Sequence, residues 1–177
     1  MIRVSNIMSA QDIAIDMNAD AIVSIIDHDI ISPTFDNRPL HLVKNFIDTE
    51  IHTDMFAPVQ DDIDHIFDFV LNRDFPLKTL VHCQGGISRS VATGIGLWIA
   101  RGMSVDNAVR LVHADRPNLA PNRLVLQLID NLLGLNNTLV KDVSNVLNTI
   151  PKDLMLWCDK CKFHFVDGNN CKGNHFI

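Results

Sequence analysis

The sequence of 177 residues predicts an α/β protein with a mostly parallel central sheet and helices on both faces. Two apolar segments, Ala21–Ile26 and Lys78–Val81, have the length and β-branched content of strands buried inside a sheet. Segments with strand-like and helix-like patterns alternate along the chain, and this order is typical of parallel sheets. A loop with two glycines, Gly85 and Gly86, separates the second segment from an apolar helix. We therefore expect a site at the carboxyl edge of the sheet.

The N-terminal part supplies the other predicted strands. Ile2–Val4 predicts an edge strand, and Ser9 predicts the N-cap of the helix that follows it. Leu40–Ile47 predicts a third strand, which ends at Asp48 and leads into a loop of about a dozen residues. The segment Asp61–Leu71 is amphipathic with acids in its first turn, so it predicts a helix.

Further helices are predicted after the glycine loop. Val91–Ala100 is apolar and long enough for a buried helix, and Ser104 predicts the N-cap of a helix over Val105–Ala114. Another helix is predicted to start near Pro121 and to end at Gly134. Residues 136–150 are amphipathic and predict a helix that connects a catalytic domain, 1–135, to a tail, 151–177.

The loop from His82 to Ser90 combines groups that suit phosphoryl transfer. Loop amides and a helix N-terminus direct positive partial charge at Cys83, and this charge together with Arg89 favours the thiolate. The planar guanidinium of Arg89 matches two phosphoryl oxygens, and the Ser90 hydroxyl can donate to the sulfur. Gly85 and Gly86 are expected to adopt positive φ and to turn the amides inward.

The spacing of His82, Cys83, Arg89 and Ser90 resembles the His-Cys-x5-Arg-Ser signature of the cysteine-dependent protein tyrosine phosphatases, in its dual-specificity form. Three later pairs resemble the same branch, and the likeness covers about residues 1–135: Arg116-Pro117, Pro121-Asn122 and Gln127-Leu128. The chain is most similar to small bacterial predicted tyrosine phosphatases. In the function implied, Cys83 forms a phosphocysteine without a catalytic cofactor. The groups expected to bind the phosphoryl oxygens are the backbone of Gln84, Gly85, Gly86, Ile87 and Ser88 and the side chain of Arg89.

The resemblance also implies a general acid, an aspartate on a loop before the signature. Asp48 is the first candidate because it ends a predicted parallel strand, and Asp54 on the same loop is the second. The loop Thr49–Pro58 is longer than is usual in this family. Asp27 and Asp29 end another strand and are predicted to cap a turn.

The tail carries a separate pattern of metal ligands. Cys158 and Cys161 form a Cys-x2-Cys pair, and Cys171 with His175 supplies two more ligands, so the tail predicts a tetrahedral structural zinc site. His164 is the alternative fourth ligand. A thioredoxin-like redox motif would need a following helix and sheet.

Composition restricts the partners. The net charge of -6 argues against nucleic acid, and no segment approaches the length of a membrane span. Four cysteines, one of them in a loop suited to a reactive thiol, indicate the cytoplasm.

The leading hypothesis is a phosphatase for phosphotyrosine in a protein or peptide, with phosphoserine and phosphothreonine left open. The alternatives are a lipid or nucleic-acid 5′-phosphatase and a non-catalytic phosphoprotein-binding module. The sequence leaves the oligomeric state open.

Overall fold

The structure is a computed structural model that describes residues 1–36, 39–72, 77–150, 166–167 and 170–171. In its main part, four parallel strands form one sheet in the order β1-β4-β2-β3. These strands are β1 (Ile2–Asn6), β2 (Ala21–Ile26), β3 (Leu40–Asn45) and β4 (Thr79–Cys83). Two short strands, β5 (Val166–Asp167) and β6 (Asn170–Cys171), form an antiparallel pair in the tail.

Six helices accompany this sheet within the described part of the chain: α1 (Ala10–Asp16), α2 (Gln60–Leu71), α3 (Arg89–Ala100), α4 (Val105–Asp115), α5 (Arg123–Leu133) and α6 (Leu139–Thr149). Successive side chains of a strand point to opposite faces, so each face of the sheet can support its own core. Ile22 and Leu80 pack with α1 on one face, while Val23 and Val81 join the larger core of α2–α6 on the other. The predicted α/β fold with helices on both faces is therefore confirmed.

Burial and register place the ends of three strands together. Every residue of β2 and of β4 is buried, as expected for central strands of a parallel sheet. Cys83 is the register partner of Asn6 on β1 and of Ile25 on β2. Residues that follow β2 and β4 consequently meet at one edge of the sheet.

Helix α3 lies close against β1 because of a small residue. A Cβ atom on Gly94 would lie 2.5 Å from Cγ2 of Val4. Nine consecutive residues of the helix, from Arg89 to Leu97, are buried. This close packing holds α3 against β1.

Several element boundaries differ from the sequence predictions. Strand β3 ends at Asn45 rather than Ile47, because the Ile47 N–H donates to the Phe56 carbonyl at 2.9 Å in the following loop. Ser9 occupies the N-cap position of α1, but its hydroxyl donates to Oδ1 of Asn6 at 2.9 Å and makes no cap bond.

The start of α5 also differs. Pro121 precedes the N-cap, which is Asn122, and Oδ1 of Asn122 accepts from the Val125 N–H at 2.9 Å. Gly134 ends the helix in the left-handed conformation, with φ of 65°, as the sequence indicates.

The predicted zinc ligands lie largely beyond what the structure describes. Cys158, Cys161 and His175 are outside the described residues, as is the alternative His164, and only the backbone of Cys171 is described, in β6. Among the residues that are described, no cluster of three or more His, Cys, Asp or Glu side chains could bind a metal ion. In the same part of the chain, every helix is too short or too polar to cross a membrane.

Candidate active site

Cys83 is the last residue of β4, and its thiol lies at the bottom of the loop that connects this strand to α3. The residue is only 1% exposed. The Gly86 N–H donates to the sulfur at 3.2 Å, and Oγ of Ser90 lies 3.1 Å from it. The sulfur thus lies beside two groups that can donate hydrogen bonds to it, the Gly86 N–H and the Ser90 hydroxyl.

Every carbonyl of the loop from Gln84 to Ser88 accepts a hydrogen bond from a residue outside the loop. The Gln84 carbonyl accepts from the Ile7 N–H at 3.3 Å, and the Ile87 carbonyl accepts from the Ala120 N–H at 2.9 Å. Two carbonyls accept from one guanidinium, as Arg116 donates to Gly86 at 2.8 Å and to Gly85 at 3.1 Å. The Ser88 carbonyl accepts from Ala92 at 3.0 Å and Asn122 at 3.4 Å.

A chain whose successive carbonyls face outward turns its N–H groups inward, which makes a concave site for an anion. Gly86 permits this turn, since its φ is +64° and a Cβ atom there would lie 2.5 Å from the backbone nitrogen of Asn6. The expectation for Gly85 is wrong, because Gly86 is the only one of the two with positive φ.

Arg89 is the first residue of α3, and its side chain is 4% exposed. Nη1 donates to Oδ1 of Asp27 and to the Phe46 carbonyl, both at 2.5 Å. Nη2 donates to the side-chain oxygen of Gln84. Nε has no hydrogen-bond partner among the described residues and lies 3.8 Å from Oδ2 of Asp48. The guanidinium thus lies at the same edge as the thiol and two carboxylates.

Asp48 lies on the loop after β3. It faces the loop that connects β4 to α3, residues 84–88, which we call the signature loop. Its Oδ1 accepts from Oγ of Ser88 at 2.7 Å and from Nδ2 of Asn122 at 2.8 Å. The side chain is 40% exposed, so a leaving group in the site could reach it. Asp54 is exposed, and its Oδ2 accepts from Oγ1 of Thr49 at 2.5 Å within the same loop. The structure brings Asp48, not Asp54, into contact with the signature loop.

His82 precedes Cys83 on β4 and is buried in a row of polar side chains. Its Nε2 lies 2.6 Å from Oγ of Ser24, which lies 2.7 Å from Nε2 of His41 on β3. Burial lowers the pKa of His82 from 6.5 to about 4, and its interaction with the Cys83 backbone opposes this shift. His82 is therefore neutral near pH 7 and can hydrogen-bond to Ser24 in that form.

Three residues of this site were missed or misjudged in the sequence predictions. Asp27 was expected to cap a turn, but it pairs with Arg89. Arg116 and Asn122 are named in the sequence predictions only as members of the family pairs Arg116-Pro117 and Pro121-Asn122, with no role at the site. The clue for Asp27 was its place after a strand that neighbours β4 in a parallel sheet. Sequence spacing gave no sign that Arg116 and Asn122 would reach the loops.

Comparison with known proteins identifies the fold. No family model matches the chain, and no curated protein matches it. Human tyrosine phosphatase-like serine/threonine/tyrosine-interacting protein is 20% identical, with a TM-score of 0.59 over 76% of this chain and 92% of that chain. Human DUSP28 is 16% identical, with a TM-score of 0.60 over 77% and 95% of the two chains. PTPMT1 in complex with PI(5)P is 13% identical, with a TM-score of 0.55 over 82% and 93%. The resemblance drawn from the signature is thus confirmed as a dual-specificity-phosphatase-like fold of the cysteine phosphatases.

Proposed function

We propose that this chain is a cysteine-dependent protein phosphatase that hydrolyses phosphotyrosine through a phosphocysteine intermediate. Hydrolysis of phosphoserine and phosphothreonine in the same site is left open. The observation that carries the proposal is the loop around Cys83, whose carbonyls are bonded outward while Gly86 and Ser90 contact the sulfur. A phosphoryl group has the charge and the oxygen acceptors that such a loop binds.

The proposed first step transfers the phosphoryl group to the enzyme. The Cys83 thiolate forms a bond to phosphorus while the bond from phosphorus to the leaving oxygen breaks. Loop amides from Gln84 to Ser88 and the side chain of Arg89 stabilise the charge on the equatorial oxygens. Asp48 donates its proton to the leaving oxygen. Oδ1 of Asp48 already accepts from two donors, so Oδ2 is the oxygen suited to carry that proton.

In the second step, water attacks phosphorus and the sulfur–phosphorus bond breaks. The Asp48 carboxylate accepts a proton from that water, which restores the acid. The departing sulfur returns to the thiolate, and the hydroxyl of Ser90 at 3.1 Å stabilises it as a leaving group. Inorganic phosphate is released and the cycle can repeat.

The test of this proposal is replacement of the nucleophile. The wild-type protein should hydrolyse an aryl phosphate in the presence of a chelator, and vanadate should inhibit it. Cys83→Ser replaces the thiolate with a hydroxyl that stays protonated, so turnover should fall by at least about 10⁴-fold. The amide loop is unchanged, so this variant should still bind phosphotyrosine peptide. Activity that persists in Cys83→Ser, or that requires an added divalent metal, excludes the mechanism.

A lipid substrate is the second candidate, since one structural neighbour, PTPMT1, is in complex with PI(5)P. Against it, the loop positions Gln84, Gly85, Ile87 and Ser88 are uncharged. Rates on phosphotyrosine peptide and on PI(5)P, measured with the same preparation, decide between the two.

A non-catalytic binding module is the third reading, because another neighbour is named a phosphatase-like interacting protein. Binding of phosphopeptide by wild-type protein that has no turnover would favour it.

We place the protein in the cytoplasm, where a reducing environment keeps a reactive thiol free.

We also propose structural zinc in the tail, bound by Cys158, Cys161, Cys171 and His175, with His164 as the alternative to the last. The proposal rests on ligand number and spacing in the sequence. Elemental analysis of protein purified without chelator should give about one zinc per chain. Cys161→Ser should release the metal, and metal-free wild-type protein would disprove the site.

A further inference from the structure

Asp27 is the nearest acidic neighbour of Arg89, although it comes from a different strand end. It directly follows β2, whose residue Ile25 is the register partner of Cys83. Oδ1 of Asp27 and the carbonyl of Phe46 both accept from Nη1 of Arg89 at 2.5 Å. Nη1 carries two hydrogens, so these two protein oxygens can use both.

The donors that remain lie on the other edge of the guanidinium. Nη2 donates to Gln84, and Nε is buried without a hydrogen-bond partner in the described part of the chain. Nε and Nη2 together form the edge that binds two oxygens of one acid group side by side. The guanidinium is planar and rigid, so groups that fix Nη1 also fix the direction of this edge.

We propose that Asp27 is a positioning residue, which directs the Nε–Nη2 edge of Arg89 toward the phosphoryl group bound over Cys83. The inference rests on the proposed function for the nature of the ligand. A phosphoryl oxygen is a stronger acceptor for Nη2 than the carboxamide of Gln84, because it carries charge. Oδ2 of Asp48 lies 3.8 Å from Nε, so the edge and the candidate acid converge on the same place.

The charge of Asp27 opposes this positioning effect. A carboxylate beside the site repels a phosphate dianion, so loss of its charge alone should tighten anion binding. Loss of its contact with Nη1 should instead let the guanidinium turn away and weaken binding. The two effects have opposite signs, and a binding measurement therefore separates them.

The experiment measures binding of phenyl phosphate by calorimetry to protein that carries Cys83→Ser, alone or combined with a second substitution. Adding Asp27→Ala should weaken binding by about tenfold or more, because misdirected contacts of this kind are costly. Asp27→Asn should bind more tightly than Asp27→Ala, since it loses the charge but its amide oxygen can still accept from Nη1. Asp29→Asn is the matched control: it removes the same charge from an exposed position two residues further along the chain, so binding should stay equal or become slightly tighter.

A double-mutant cycle then tests whether Asp27 acts through Arg89. With Arg89→Lys already present, Asp27→Ala should cause no further loss of affinity, because the planar fork is gone. Should Asp27→Ala fail to fold, Asp27→Ser, whose shorter side chain also loses the contact with Nη1, replaces it. Equal or tighter binding after the substitution that removes this contact, or an equal loss with Arg89 and with Lys at position 89, would overturn the inference. If wild-type protein shows no turnover while this pattern holds, the proposed reaction fails and the positioning role stands.

Discussion

The two oxygens of Asp48 have different surroundings, and this difference assigns their roles. Oδ1 accepts from Ser88 and from Asn122, while Oδ2 faces Nε of Arg89 at 3.8 Å. An oxygen that already accepts two hydrogen bonds is poorly placed to carry a proton itself. The geometry therefore supports Asp48 as a general acid that acts through Oδ2.

Asp48→Asn tests that role. Asparagine keeps a side-chain oxygen for Ser88 and Asn122 but has no proton to give, so turnover of phenyl phosphate should fall by about 10²–10⁴-fold. Turnover of nitrophenyl phosphate should fall much less, because nitrophenolate leaves without a proton. Steady-state rates on both substrates check this, with Asp54→Asn as the matched control from the same loop. The assignment is reversed if Asp54→Asn, and not Asp48→Asn, shows the leaving-group dependence.

A row of three polar side chains crosses the sheet from β3 to β4. His41, Ser24 and His82 are linked at 2.7 and 2.6 Å, and burial lowers the pKa of both histidines. His82 has a pKa of 6.5 when unfolded and about 4 when folded, so below pH 6.5 the unfolded chain binds a proton that the folded chain does not. Burial of neutral His82 therefore does not reduce the free energy of unfolding through protonation above pH 6.5, and it reduces that free energy progressively as the pH falls toward 4.

The free energy of unfolding should decrease between pH 6.5 and pH 4, by about 3 kcal/mol from His82 alone. Urea unfolding at several pH values measures this decrease. His82→Asn should be less stable near pH 7 and should lose most of the pH dependence. His65→Asn, which replaces an exposed histidine on α2, should retain it. A wild-type slope that persists in His82→Asn would show that other groups cause it.

The signature loop depends on segments far from it in sequence. Arg116, just after α4, binds the carbonyls of Gly85 and Gly86. Asn122, at the start of α5, caps that helix and also donates to Asp48 and to the carbonyl of Thr49 at 3.0 Å. The connection between α4 and α5 therefore supports the loop after β4 and the loop after β3 at the same time.

In the molecule as a whole, α6 packs into the same core as the sheet and its helices. Leu139 and Val143 are fully buried within the larger hydrophobic cluster. The buried Asp130 of α5 accepts from the N–H groups of Asn137 and Leu139, both at 2.7 Å. The segment predicted to connect two domains thus also contributes to the stability of the first one.

Truncation measures this contribution. A chain that ends at residue 135 loses the burial of Leu139 and Val143 and leaves Asp130 without these donors, so its unfolding free energy should drop by about 3–6 kcal/mol. Such a loss is a large share of the stability of an ordinary domain. A chain that ends at residue 150 should retain wild-type stability and aryl phosphatase activity. Equal urea midpoints for the two truncated chains would contradict this expectation.

Local pattern was enough to predict much of the fold and the centre of the site. The apolar segments predicted β2 and β4, and the spacing from Cys83 to Ser90 predicted a thiol, a guanidinium and a hydroxyl on one loop. Boundaries were less accurate: β3 ends two residues early, because a tertiary hydrogen bond from Ile47 to Phe56 draws the chain away. A contact of that kind leaves no periodic trace in the sequence.

The nine residues from His82 to Ser90 by themselves predicted the chemistry that we propose, since the thiol, the amides and the guanidinium are neighbours along the backbone. Only the tertiary structure decided which groups support them, because Asp27, Arg116 and Asn122 come from separate strand and helix ends. It also brought Asp48 rather than Asp54 to the site, since Ser88 and Asn122 are the donors that hold the loop after β3. Backbone spacing dictates what lies within one loop, whereas contacts between loops depend on strand order and helix packing.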